Sequence, residues 1–274
     1  MPNHRAFSTT VEPDICREYA SGKTLSEIAQ GYSCSRETIA RCLRSNGVTV
    51  RSKGQGRRRY TCNHYFFDVI DSELKAYWLG FLAADGSIIN GTIRLNLQYG
   101  DRQHIRLLLR DLGSDYPIRT RIQNGFRGSC LAISSQPMLV ALARFGVIPR
   151  KKRTLPWPDL PEHILRSYFR GFFDANGSWG AKNTSKPMVQ GPSFMLVGNK
   201  QFIQQCQKWL MERCSLRETK FKIQGRDRTS YTMTYRGNNQ ARRIASLLYD
   251  GATRFLARKH AVITTFLASS FCTK

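Results

Sequence analysis

The sequence predicts an α+β chain: two pseudo-symmetric α-β-β-α-β-β-α halves, preceded by a small all-α helix-turn-helix domain. Three observations predict it. An apolar, glycine-containing segment occurs twice, 91 residues apart when counted from Asp85 to Asn176. Each copy is followed by stretches that alternate polar and apolar residues with the period of a strand. The first fifty residues instead carry short helical patterns with capping signals. The division that follows places the helix-turn-helix at 1–50, a basic linker at 51–66, the first half at 67–151 and the second at 152–274.

In the first domain, residues 12–47 read as three short helices. Pro13 marks a start and Gly22 a stop. Thr24 and Glu27 match a capping box, after which Leu25, Ile28 and Ala29 share one apolar face. Ser35 caps a helix from Arg36 to about Ser45, and Asn46-Gly47 ends it. Two short helices around a tight turn suggest a module whose second helix enters a major groove. Its exposed candidates are Ser35, Arg36, Thr38, Arg41 and Arg44, with Ile39, Ala40 and Leu43 assigned to the core. Residues 51–59 hold five basic residues, among them Arg57, Arg58 and Arg59, and two glycines. That composition suits a flexible linker that tracks phosphates.

In the larger region the first repeat copy runs from Ala76 to Ser87 and the second from Ser167 to Ser178. Leu74, Tyr77, Trp78, Phe81 and Leu82 form a large apolar face, as do Leu165, Tyr168, Phe169, Phe172 and Phe173. Opposite lie small residues: Ala76, Gly80, Ala83 and Ala84 in one copy, Ser167, Gly171 and Ala175 in the other. Small faces let helix backbones approach, so the two segments are expected to pack together and to bring Asp85 and Asn176 to a shared base. A glycine follows each, expected to stop its helix at positive φ. Alternating strands are expected at 92–98, 118–122, 221–224 and 231–236. Their outward positions include Arg94, Asn96, Gln98, Arg119, Arg121, Lys222, Gln224 and Arg236, a set of donors able to meet base edges and phosphates. Helices are expected at 101–112, 136–145, 199–213 and 238–249.

Charge points to a polyanionic partner. Lys and Arg total 43 against 19 Asp and Glu, a formal net charge of +24. Such an excess is costly in self-repulsion unless a partner neutralises it. Hydrophobic residues make up 41% of the chain, enough for a core. No stretch approaches the ~20 apolar residues of a membrane span, and the N-terminus has no apolar signal core. The expectation is a cytoplasmic protein that is not secreted, nucleoid-associated in a bacterial or phage setting. The eight cysteines form no Cys-x-x-Cys pair, which disfavours a zinc finger or a disulfide framework.

The stretches Trp78–Gly86 and Phe169–Gly177 resemble the nine-residue motif of the LAGLIDADG homing endonucleases, in their single-chain, two-motif form. Phe145–Pro149 with the following basic run, and Phe255–Lys259, extend the resemblance over about residues 67–268. It implies a monomeric saddle of two four-stranded antiparallel sheets lying along double-stranded DNA. It also implies intron mobility, and an active site over the minor groove beneath the paired motif helices. The metal ligands it implies are Asp85 and Asn176, with the Ala84 and Ala175 carbonyls as accessory ligands. Lys152 or Arg153 and Lys259 are the assisting basic residues.

Phosphodiester hydrolysis independently asks for such parts. A Lewis acid stabilises phosphate charge and lowers the pKa of the attacking water, and Mg²⁺ (or Mn²⁺) prefers carboxylate and water oxygens. A nearby Lys or Arg stabilises developing charge. Position 176 departs from the family pattern, because an amide brings no negative charge and cannot act as a base. Asp174 faces elsewhere on the helix and substitutes poorly for it. The expected function is therefore a site-specific endonuclease for a long asymmetric duplex target, with strand-biased nicking as one outcome of Asn176. A non-cleaving DNA-binding regulator and an intron splicing cofactor are the alternatives.

Overall fold

The computed structural model describes residues 7–269, apart from 9, 22, 51–59, 181–191 and 225–227. Arg57, Arg58 and Arg59 thus lie outside the described residues. The chain divides into two compact units, Met1–Thr61 and Cys62–Lys274.

The first unit contains α1 (Glu12–Ala20), α2 (Leu25–Gly31) and α3 (Arg36–Ser45). Thr24 opens α2 with the reciprocal bonds of a capping box: Glu27 N donates to Thr24 Oγ1 (3.2 Å) and Thr24 N to Glu27 Oε2 (2.8 Å). Those two bonds hold the Glu27 carboxyl below the usual range. Ser35 caps α3 by accepting from Thr38 N at 3.1 Å. Ile15, Ile28, Ile39 and Leu43 are fully buried together, with Cys42 beside them.

The second unit is α4 (Glu73–Asp85), β1 (Gly86–Ile89), β2 (Thr92–Gln98), α5 (Arg102–Asp111), β3 (Arg119–Gln123), β4 (Phe126–Ile133) and α6 (Gln136–Arg144). It continues with α7 (Glu162–Asn176), β5 (Gly177–Gly180), β6 (Ser193–Gly198), α8 (Lys200–Cys214), β7 (Lys222–Gln224), β8 (Ser230–Arg236), α9 (Asn238–Tyr249) and α10 (Ala257–Ser269). The strands make two four-stranded antiparallel sheets, β1-β2-β4-β3 and β5-β6-β8-β7, so one strand order recurs. Both hairpins of the first sheet turn on Asn-Gly, at Asn90-Gly91 and Asn124-Gly125, with positive φ at all four residues.

Helix α10 was not foreseen. Its segment mixes β-branched Val262, Ile263, Thr264 and Thr265 into a weakly amphipathic stretch, and only Lys259 and Ile263 are buried.

The paired helices pack as their small faces require. A Cβ on Gly80 would land on the Tyr168 carbonyl, and one on Gly171 on the Tyr77 carbonyl, so each glycine seats its helix on the other's backbone. Large side chains elsewhere on the two helices fill the core: Tyr77, Trp78, Phe81, Phe169 and Phe173 are at most 1% exposed. The glycines that follow depart from expectation. Gly86 and Gly177 have φ of −63° and −89°, and each helix runs directly into a strand. Crowding accounts for both. A Cβ at Gly86 would meet the Leu82 carbonyl, and one at Gly177 would collide with the Phe173 ring.

Candidate active site at the base of the paired helices

Helices α4 and α7 end at Asp85 and Asn176, and both residues are exposed there. With Lys152, Leu155 and Ser230 they line one cleft of about 130 Å³. The two residues differ in their surroundings. Protein around the Asp85 carboxylate pushes its pKa up to about 6, although Lys259, Lys151, Lys152 and Arg258 pull it down. The carboxylate remains open to the cleft, so the shift reflects protein mass on its flanks rather than enclosure. Asn176 instead donates its Nδ2 to Val197 O at 2.7 Å. That bond needs an amide, because a carboxylate would face the carbonyl with like partial charge.

A buried lysine stands under each helix end. Lys259 Nζ donates to Phe173 O (2.7 Å) and Gly177 O (2.5 Å). Lys151 Nζ donates to Ala84 O (3.4 Å) and to Gly86 O. Each lysine is 6% exposed, and burial lowers each pKa to about 8. Lys151 is the residue that sequence reading missed. Of the candidates named for its half, Lys152 is exposed at the cleft rim and Arg153 is exposed beside it. Four consecutive basic residues, 150–153, give no compositional ground for choosing among them. The choice is made by backbone: Arg150 takes φ +59° and starts a 3₁₀ turn, Lys151–Arg153, that aims Lys151 inward.

Asp174 lies away from the cleft, fully buried in the seam. It accepts from Tyr77 Oη (2.8 Å), Tyr249 Oη (2.5 Å) and Leu256 N (2.7 Å). Tyr77 Oη also meets His104 Nε2 at 3.1 Å, and burial depresses the His104 pKa to about 3, which keeps that ring neutral. Two further pairs pin the start of α10 and the segment before it to the first half: Arg254 grips Asp111 with two bonds of 2.8 Å, and Arg258 Nε meets Asp101 at 2.9 Å. Lys259 therefore stands under the end of α7, within electrostatic reach of Asp85, on a strap fastened to both halves. The run Phe255–Lys259 signalled this segment in the sequence, but the acidic partners of Arg254 and Arg258 are 143 and 157 residues away and could not be paired from spacing.

The outward sheet positions separate into two unlike faces. By register, Arg119, Cys130 and Asn96 form one row across the first sheet, Arg121, Gly128 and Gln98 the next, and Ala132, Arg94 and Ser87 a third. Asn96, Gln98, Arg119 and Arg121 are exposed and Arg94 half-buried. On the second sheet the rows read Ser178, Met195, Thr234 and then Val197, Thr232, Lys222, with Gln224 and Arg236 at the margins. Of the helical candidates in the first unit, Ser35, Arg36, Arg41 and Arg44 are exposed on α3, and Arg44 pairs with Glu37 at 3.2 Å. Thr38 is half-buried, and its hydroxyl lies 2.9 Å from Ser35 Oγ.

The donors at the cleft fit a hard divalent ion on one side only. Asp85 brings a carboxylate, the Ala84 carbonyl already receives Lys151, and Asn176 brings a neutral oxygen. Among the described residues no group of three or more His, Cys, Asp or Glu is placed to hold a metal. An ion there would complete its shell with water and phosphate oxygens.

The sequence matches no family profile and no curated protein. Solved structures similar in fold include a single-substitution mutant of I-SmaMI, with a TM-score of 0.50 and 9% identity over 70% of this chain and 89% of that one. The meganuclease I-SmaMI bound to uncleaveable DNA aligns at 0.48 and 11%, over 72% and 90% of the two chains. The LAGLIDADG meganuclease I-AabMI bound to uncleaved DNA aligns at 0.46 and 12%, over 71% and 89%. At such identities the likeness is one of fold. No helix among the described residues is long and apolar enough to cross a membrane.

Proposed function

We propose that this chain is a metal-dependent endonuclease of the homing type that binds a long asymmetric DNA duplex and cuts one strand faster than the other. The observation that carries the reading is the base of the glycine-packed helices, where one carboxylate, Asp85, lines the cleft within electrostatic reach of two buried lysines, Lys151 and Lys259. Mg²⁺ or Mn²⁺ held by Asp85 and solvent would supply Lewis-acid chemistry toward a phosphate. Lys151 and Lys259 keep positive charge beneath the helix ends, and Lys152 adds more at the cleft itself, to meet developing phosphate charge. Asn176, bound to Val197 O, offers no anion to a second ion. A bias toward nicking follows.

The first sheet's Arg94, Arg119 and Arg121 supply phosphate and base-edge donors. Helix α3, with Ser35, Arg36, Thr38, Arg41 and Arg44, is read as the recognition helix of a helix-turn-helix that extends the footprint through the basic linker. The chain is read as a monomer. A non-cleaving DNA-binding regulator is the second reading, favoured by that same Asn176 bond.

One experiment separates the two. The protein is incubated with a library of long duplexes in Mg²⁺ or in Ca²⁺, and nicks, double-strand breaks and retained uncut DNA are scored. The expected result is nicking in excess of double-strand breaks in Mg²⁺. Asp85→Asn should reduce cutting about a thousandfold, roughly 4 kcal/mol of transition-state stabilisation. Cutting untouched by Asp85→Asn removes the proposed site, and retention without cutting in Mg²⁺ establishes the regulator.

A further inference from the structure

One residue on the basic face of the first sheet is of the wrong chemical type for its surroundings. Phe126 opens β4 and is 79% exposed. Register puts it opposite Gln123 and in phase with Gly128 and Cys130, the partners of Arg121 and Arg119, so its ring stands on the same face as those arginines. Exposure alone does not single it out, because Ile122 on the same hairpin is 70% exposed. Ile122 pairs with Arg127, however, and points to the opposite face, where the Arg127 guanidinium lies 4.4 Å from the centre of the Tyr99 ring. That stack and the Asn124-Gly125 turn fix the hairpin tip and with it the direction of Phe126.

A ring so exposed contributes little to folding, since it is not removed from water. On a sheet face where Asn96, Gln98, Arg119 and Arg121 are exposed hydrogen-bond donors, its own contribution is an apolar contact. The apolar group that duplex DNA presents in its major groove is the 5-methyl of thymine. Resting on the DNA-binding reading above, we infer that Phe126 is a specificity-determining residue that packs on a thymine methyl toward the outer end of the first half's footprint.

The test uses the full chain and a duplex selected from a library in Ca²⁺. Each thymine of the selected duplex is replaced in turn by uracil, which removes the methyl alone. Affinities are measured for the wild type, Phe126→Ala and Phe126→Leu. At one position toward an end of the footprint, uracil should weaken the wild type about fourfold, the worth of one buried methyl group. Phe126→Ala should ignore that replacement and Phe126→Leu should keep part of the discrimination. The salt dependence of binding should be the same in all three, because no phosphate contact is lost.

Equal losses in the wild type and Phe126→Ala, or no loss at any thymine, overturn the inference and leave DNA binding standing. A Phe126→Ala change in oligomeric state overturns it in favour of a contact between copies of the chain. Failure to select any duplex overturns the DNA reading itself, and this inference with it.

Discussion

The two halves of the larger unit share a framework and differ in charge. Each has the same strand order, a glycine seated on the other half's motif helix, and a buried lysine bound to the carbonyl of the glycine after its helix. Yet the first half ends its helix in Asp85 and the second in Asn176. The first presents Arg94, Arg119 and Arg121 across its outer face, where the second presents Met195, Val197 and Thr234 with Lys222. Seam positions tolerate little change, because two backbones in contact leave no room for alternatives. Positions facing the cleft or solvent carry no such constraint. The comparison teaches that packing keeps the halves alike while their chemistry has diverged.

The largest expected effect tests the likeness. Gly80→Ala and Gly171→Ala each force a methyl group into the facing backbone, where no flexible side chain can yield. Overpacking of this kind costs ~1–3 kcal/mol and occasionally more, and these sites belong at the upper end. Urea denaturation should show both variants destabilised by similar amounts. A loss confined to one variant would show that the two helices do not bear on each other reciprocally.

This reciprocity was legible in the sequence, because small residues at helical spacing leave few ways to pack. So were the cleft positions of Asp85 and Asn176, which end the two repeats. Lys151 was not legible, since its neighbours share its charge and only the left-handed Arg150 distinguishes it. Nor was the buried site of Asp174: Tyr77, Tyr249 and Leu256 converge on it from 75 to 97 residues away. The weaker charge of the second sheet went unread for a different reason. Lys222, Gln224 and Arg236 were seen within their own strands, and only the register sets Met195 and Val197 between them.

Asn176→Asp attacks the difference. In exchange for a second carboxylate it loses the bond to Val197 O and sets an anion against a carbonyl, at a cost of ~1–3 kcal/mol. Melting temperature should fall, while the ratio of double-strand breaks to nicks in Mg²⁺ should rise. A lower melting temperature with an unchanged ratio would assign the strand bias to something other than residue 176.

A smaller effect sharpens the contrast between sheets. Replacing Arg119 and Arg121 with Ala should flatten the plot of log affinity against log salt by up to ~0.9 for each phosphate contact removed. Replacing Lys222 and Arg236 should flatten it less, because the second pair is spread to the margins of its sheet. Equal slopes would mean that both faces contribute equal numbers of phosphate contacts, contrary to the asymmetry of the two sheets.

The smallest effect is a pH dependence specific to the first half. Asp85 has a folded pKa of about 6 against an ordinary carboxylate value of 3.8, so the folded chain holds this proton where the unfolded chain has released it. Between about pH 4 and pH 6 the native state binds more protons, and the contribution of Asp85 to stability falls as pH rises through that window. The cost is complete above about pH 6 and absent below about pH 4. Lys151 and Lys259 act higher on the scale: with folded pKa values near 8, below that of a free lysine, they add stability as pH rises from about 8 toward 10.5. Asp85→Asn should therefore be more stable than the wild type at pH 7, and the gap should close by pH 4, as followed by thermal melts without divalent metal. The first half would then keep its carboxylate at a cost in stability, which Asn176 has relieved in the second. A wild type as stable as Asp85→Asn at pH 7 would place the two helix ends on equal terms and leave only their metal chemistry to distinguish them.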